Sequence, residues 1–391
     1  MGKRLNRKGR KPDKGGTPKE ILRMLFVCIA IGIAAGILLA RYLFNVYGDL
    51  DGGAMLVLYS GLAMCLVSIF LNVIIHEAGH LIFGLLTGYS FLSFRIFSLT
   101  FVKEQGRLRC RKFSAPGTSG QCLMIPPAKT VKPLPYRLYN YGGVIMNFLI
   151  SLLAILPMVL FPGIPFAVDF LLGGFAAGGI MIGAMNGLPL KAFGIANDGY
   201  NVRSMKRDAT ARSSFRRQLE LVAEQSVGIR LKDMPEEWFQ LPAEADLTNV
   251  MNAYIRYMAF VRELDRLDFT AAQSCLEQLV PALPRLPLSY RNVTNLGFLF
   301  LTVLKGASGE EIERYNTKQS KLLIKSAKNE INIRRIAYAY YKLYKTDEKA
   351  AELCRRRLEI LAEKHPVPAE AKMNLMLADY VDQIVRLRPE A

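Results

Sequence analysis

The sequence predicts a mainly α-helical, polytopic membrane protein. It should have four transmembrane helices, a small cytosolic β hairpin or loop insertion, and a C-terminal soluble all-α domain. Three observations carry this. Four long apolar runs fall before residue 190, residues 200–391 contain none, and Lys and Arg gather on one side of the runs.

Residues 1–20, MGKRLNRKGRKPDKGGTPKE, are basic, Gly/Pro-punctuated and poor in large apolar side chains, the composition of a disordered tail. The first apolar run, 21–44, is about the length of one bilayer crossing, and no convincing cleavage site follows it. It is expected to be a retained anchor rather than a signal peptide. After the polar break GDLDGG, the second run spans 54–86 and exceeds the roughly 20 residues a crossing needs. The stretch SFLSFRIFSLTFVKEQGRLRCRKF, rich in β-branched and aromatic residues around Gln105-Gly106, reads as a hairpin or small sheet. The Gly/Pro-rich segment after it, as far as Arg137, reads mostly as loop. The third and fourth helices are expected at 144–161 and 166–188, joined by the turn PGIP. From residue 200 onward the chain shows helical periodicity. It predicts either helical hairpins of the tetratricopeptide type or a plain bundle.

Charge orients this arrangement. The chain carries 51 Lys and Arg against 33 Asp and Glu. Eight of these bases precede Ile21, and nine lie in the loop 90–141 against the single acid Glu104. The connections 45–53 and 162–165 hold no base. The positive-inside rule then puts both termini and the long loop in the cytosol, with four crossings and no conflict. The short loops and basic tail suit a bacterial plasma membrane. Residues 200–391 are nearly balanced, with 31 bases and 25 acids, so composition argues against a nucleic-acid partner. Six scattered cysteines with no CxxC spacing argue against both a disulfide framework and a cysteine metal site.

Against that background HEAGH, residues 76–80, stands out. The chain has only three histidines, and two of them fall here, within an apolar run. Residues four apart share one helix face, so His76 and His80 can direct both imidazoles at one metal ion. Glu77 beside them can reach a water at that metal and act as general base. The plainer alternative is two histidines hydrogen-bonded to neighbouring helices. A metal site needs a third protein ligand. A histidine six residues after His80 would suit one protease pattern, but that position is Leu86. Glu104 is one candidate, set in a basic hairpin. Asp198 is the better one: Pro189 should end the fourth helix, Asn197-Asp198-Gly199 should form a turn, and Asp198 then lies on the same side of the membrane as His80.

Together these residues resemble the site-2 protease family of intramembrane zinc metalloproteases, over about residues 54–201. HEAGH matches the family's HExxH. GGVIMN resembles its G-x-x-x-N element, with Gly143 and Asn147 in the matching positions, and NGLPLKAFGIANDG resembles its N-x-x-P…DG element. The resemblance implies Zn2+ held by His76, His80 and Asp198, with Glu77 as general base. Asn147 and Asn186 would then contact unwound substrate or its oxyanion. Two departures stand out: Gly143 is followed by Val144 rather than proline, and the gap from Pro189 to Asp198 is longer than the common form. No PDZ-like insertion is evident.

The expected activity is hydrolysis of peptide bonds in or near transmembrane segments of membrane-protein or peptide-precursor substrates. The competing reading is a catalytically inactive membrane scaffold presenting the helical domain, and intact Glu77 argues against it. A transporter would need more crossings. Further expectations concern accessory regions. The glycines 174, 178, 179, 183 and 187 should serve close helix packing, or else soften a gate. The loop 106–140 should edge the site and pair with an extended substrate, with Arg107 and Arg109 nearby. The C-terminal domain should dock a cytosolic partner or act as a stabilising cap.

Overall fold

The computed structural model describes residues 54–104, 107–112, 119–130, 133–161, 163–192 and 195–387. The expected basic tail and first anchor, 1–44, lie outside the described residues. Three helices within them are long and apolar enough to cross a membrane: the Ala63–Leu86 part of α1 (Ala54–Leu86), α2 (Tyr136–Leu160) and α3 (Phe166–Gly187). They pack on one another in all three pairings. Expectation and structure agree for α1 and α3 to within a residue. Helix α2, expected from residue 144, begins eight residues earlier at Tyr136. Its first two turns, YRLYNYGG, are too polar to register as an apolar run. They are helical because Tyr136, Tyr139, Asn140, Gly142 and Gly143 are buried against the site.

Between α1 and α2 lies a four-stranded antiparallel sheet, the small sheet of the two expected alternatives, with one strand beyond the expected stretch: β1 (Ser90–Ile96), β2 (Leu99–Glu104), β3 (Arg107–Lys112) and β4 (Gly120–Ile125). The spatial order is β3-β2-β1-β4, so β4 forms one edge and β3 the other. Strand β4 falls where the sequence reads as loop. Its alternation is short, with Cys122 and Met124 buried between more exposed neighbours, and the flanking Gly and Pro hide it. Strands β1 and β4 both pack on α1, which brings Gly120 over Glu77.

After a two-residue ribbon (Lys191–Ala192 with Ile195–Ala196), the chain is helical to residue 387. The helices that bear on the site are α4 (Asp198–Lys206), α5 (Ala209–Ser226), α6 (Val250–Asp265) and α8 (Leu288–Lys305), with α7 (Phe269–Leu279) packed between α6 and α8. Side-chain caps start these helices: Asp208, Asn249 and Asp268 each accept a backbone N–H from the first turn that follows. The apolar core is continuous across the expected boundary at 199/200. Tyr89, Met124 and Tyr139 belong to the same cluster as Phe215, Phe260 and Leu299. Arg216 adds a hydrogen bond to the Pro127 carbonyl at 2.6 Å.

Candidate metal centre

His76, Glu77 and His80 sit on consecutive turns of α1 and are all buried. Asp198 reaches them from the start of α4. The Oδ2 atom of Asp198 lies 3.0 Å from His76 Nε2 and 3.4 Å from His80 Nε2, and the two Nε2 atoms are 3.2 Å apart. Four-coordinate cations with N and O ligands at about 2.0–2.2 Å set their ligand atoms roughly 3.3 Å apart along each tetrahedral edge. The triangle found here has those dimensions. Among the described residues this is the group that can hold a metal ion.

The outer hydrogen bonds fix which atoms face inward. His80 Nδ1 lies 2.8 Å from the carbonyl oxygen of Tyr139. A carbonyl only accepts, so the proton sits on Nδ1 and Nε2 keeps its lone pair. His76 Nδ1 donates to Asn147 Oδ1 at 2.8 Å. That amide orientation follows from the other end of Asn147, whose Nδ2 donates to the Asn72 carbonyl at 3.0 Å. Two imidazole lone pairs and a carboxylate oxygen therefore converge on one point, an arrangement that calls for a cation between them.

Asp198 is placed by its neighbours in sequence. The expected turn at Asn197-Asp198-Gly199 is instead a helix N-terminus. Asn197 is the N-cap of α4, and its Oδ1 accepts from Tyr200 N at 2.9 Å and Leu190 N at 3.1 Å. Its Nδ2 donates to the Met185 and Leu188 carbonyls, each at 2.6 Å, which ties the end of α3 to the start of α4. Gly199 packs so closely on the Gly187 carbonyl that any Cβ would collide with it. Gly143 is constrained in the same way, because a Cβ there would lie 2.6 Å from the His76 ring. Each glycine is there for space, since neither sits in the left-handed region.

The other predicted site residues fall as follows. Glu77 borders the cavity with its carboxylate against Gly120, and among the described residues it forms no hydrogen bond. Asn147, expected to contact substrate, is fully buried, and its amide bonds to the His76 ring and to Asn72. Asn186 lines the cavity, but its Nδ2 donates to Ile182 O of its own helix at 3.0 Å. Glu104, the alternative ligand, stands opposite Arg107 in the backbone register of β2 and β3. Arg107 and Arg109 lie on β3, the sheet edge opposite β4. From the 106–140 stretch, Ser119 and β4 border the site together with Tyr139 and Asn140 at the start of α2.

Sequence reasoning missed a polar network behind His76. Asn72, one turn earlier on α1, accepts from Asn147 Nδ2 at 3.2 Å and donates to Phe175 O of α3 at 3.1 Å. Ser68 Oγ donates to Gly174 O at 3.0 Å, and Ser151 Oγ donates to Asn147 O at 2.7 Å. Gly178 and Gly179 supply the room, because a Cβ at either would run into Ser68, Ser151 or Asn72. The signal was present as Ser68, Asn72 and His76 at four-residue spacing, one polar stripe on an apolar helix.

The metal centre opens into a cavity of about 820 Å3. Helix α1 and strand β4 form one side of it, the end of α3 and the start of α4 another, and α5, α6 and the start of α8 the rest. No family model, curated protein or solved structure matches this chain.

Proposed function

We propose that this protein is an intramembrane zinc metalloendopeptidase of the site-2 protease type, embedded in a bacterial plasma membrane with both termini in the cytosol. A single arrangement carries the reading. Two imidazoles and a carboxylate converge with metal-ligand spacing beside an unpaired glutamate, at the head of a cavity large enough for a peptide segment. Two nitrogens and one oxygen, with a fourth position open to the cavity, are the donor set of catalytic zinc. Bound there, zinc would polarise the scissile carbonyl and lower the pKa of water to about 7.

The chain's own residues do the rest. Asn147 and the Tyr139 carbonyl hold the two imidazoles in one tautomer, with Nε2 inward. The Glu77 carboxylate takes a proton from the attacking water and returns it to the amide nitrogen as the C–N bond breaks. A substrate helix has its carbonyls already bonded and must unwind to present one. Strand β4, at the sheet edge beside the cavity, offers backbone groups to the unwound stretch. The substrates are membrane-embedded proteins or peptide precursors.

The test is metal content and cleavage together. The full chain in detergent should carry about one zinc and cut an apolar transmembrane peptide. The Glu77→Gln variant should keep the zinc and lose activity by 10²–10⁴-fold, the usual weight of a general base. A well-folded wild type that binds no zinc would overturn the reading and favour a scaffold.

A further inference from the structure

The C-terminal helices build part of the cavity wall. Phe215 and Leu219 of α5, Val250 and Met251 of α6, and Pro287 and Tyr290 at the start of α8 line the same cavity as His76, Glu77 and His80. This part of the wall is largely apolar, with Gln218 and Ser289 as its polar members. It is also held firmly. Asn249 donates to Ser204 O at 3.0 Å and to Asp208 Oδ2 at 3.1 Å, so the start of α6 is tied to the helix that carries Asp198. The Tyr290 hydroxyl donates to Val250 O at 2.9 Å and closes α8 onto α6. The Phe215 ring lies 6.2 Å, centroid to centroid, from the ring of Tyr139, whose carbonyl orients His80. Wall and metal centre are therefore one packed unit.

We infer that the C-terminal helices form a specificity pocket of the active site, and that Phe215, Leu219, Met251 and Tyr290 receive an apolar side chain of the unwound substrate next to the scissile bond. The inference rests on the peptidase reading and extends it. In an extended peptide, successive side chains point to opposite sides. With the scissile carbonyl at the metal and the strand running along β4, alternate side chains point away from α1, towards this wall. A membrane segment supplies Leu, Phe, Ile and Met there, and the wall offers them an apolar surface. Small or charged residues at that position would leave the wall unfilled or bury a charge beside it. The C-terminal helices thereby act as part of the active site rather than as a remote docking module.

Photo-cross-linking tests this without requiring turnover. The full-length Glu77→Gln variant, loaded with zinc in detergent, is mixed with an apolar peptide of roughly 20 residues that carries photo-leucine at one position at a time. Cross-links are then mapped by mass spectrometry. Alternate positions should label segments 215–219, 250–251 or 287–290, and the positions between them should label α1 or β4. Gln218→Trp, which adds bulk to this wall, should cut the C-terminal labelling at least tenfold while zinc content stays at the level of the parent variant. Labelling confined to the apolar helices, or labelling unaffected by Gln218→Trp, would overturn the pocket. If the C-terminal segments are labelled but the chain with Glu77 intact never cuts the peptide, the pocket stands and the peptidase reading fails.

Discussion

The three apolar helices and the C-terminal helices are built inside out with respect to each other. On α1–α3 the outward face is apolar: Leu66, Leu152 and Val159 are each 60% or more exposed. The buried positions there include Ser68, Asn72, His76, Glu77, His80, Asn147 and Ser151. In the C-terminal region Leu276, Leu299 and Leu358 are fully buried and the surface carries ion pairs such as Arg355 with Glu359 and Lys342 with Glu348. Water drives the second arrangement through the burial of apolar area. It cannot drive the first, because lipid chains are as apolar as leucine, and association must come from close packing and hydrogen bonds. In a membrane, the polar interior of α1–α3 would both hold the helices together and build the candidate site.

Four tests, six substitutions in all, sharpen or break that contrast, beginning with the largest effect. His76→Ala or Asp198→Ala should reduce zinc in the purified chain from about one equivalent to almost none, as measured by elemental analysis, because each removes one of three ligands. Metal retained without Asp198 would move the third ligand elsewhere.

Next comes a matched pair on the two surfaces. Leu152, 60% exposed on α2, and Leu353, 69% exposed in the C-terminal region, are both leucines on helix surfaces. Leu152→Lys should cost about 3 kcal/mol in membrane insertion. Leu353→Lys should stay within about 0.5 kcal/mol in denaturant unfolding. Equal tolerance at both sites would remove the membrane assignment of α2.

Asn72→Leu probes the polar interior. It keeps the volume and leaves the backbone carbonyl that accepts from Asn147 Nδ2 at 3.0 Å, but removes the side-chain oxygen that accepts at 3.2 Å and the bond to Phe175 O, and should weaken zinc affinity about tenfold by competition with a chelator. An unchanged affinity would reduce the network to packing alone.

The smallest effect belongs to the C-terminal region. Burial, with help from Glu370, pushes the Glu330 carboxyl up to about 7 from its usual 4.5. A raised carboxyl binds its proton more tightly in the folded state. Its contribution is therefore complete below about pH 4.5 and is lost as pH rises through 7. Glu330→Gln should stabilise the fold by about 1 kcal/mol at pH 8, and by much less at pH 5. Equal effects at both pH values would remove Glu330 from the pH response.

Much of the site was legible in the chain because its signals are local. HEAGH places three polar groups close together on one helix by spacing alone, and Asn-Asp-Gly marked the place of Asp198, although the turn expected there is a helix N-terminus. Helices α1 and α3 were legible from apolar length. The start of α2 was not, because its buried residues are Tyr136, Tyr139, Asn140 and two glycines, and hydropathy takes such a stretch for loop. Strand β4 was hidden for a related reason: its two buried residues make too short an alternation to stand out among glycines and prolines.

By itself, then, the sequence determined which residue types can do chemistry, the helix face they share, and which stretches are apolar enough to span a membrane. All of these follow from spacing and composition within one segment. Only the tertiary structure decided that Asp198 joins the histidines, that Asn147 bonds to His76 Nδ1, that Asn72 stands behind it, and that Phe215 and Met251 line the same cavity as the histidines. Each of these joins residues many positions apart, set by close approaches such as Gly199 on Gly187 and by amides with a single way to satisfy both ends. Local pattern carries no information about which distant partner will fill that space.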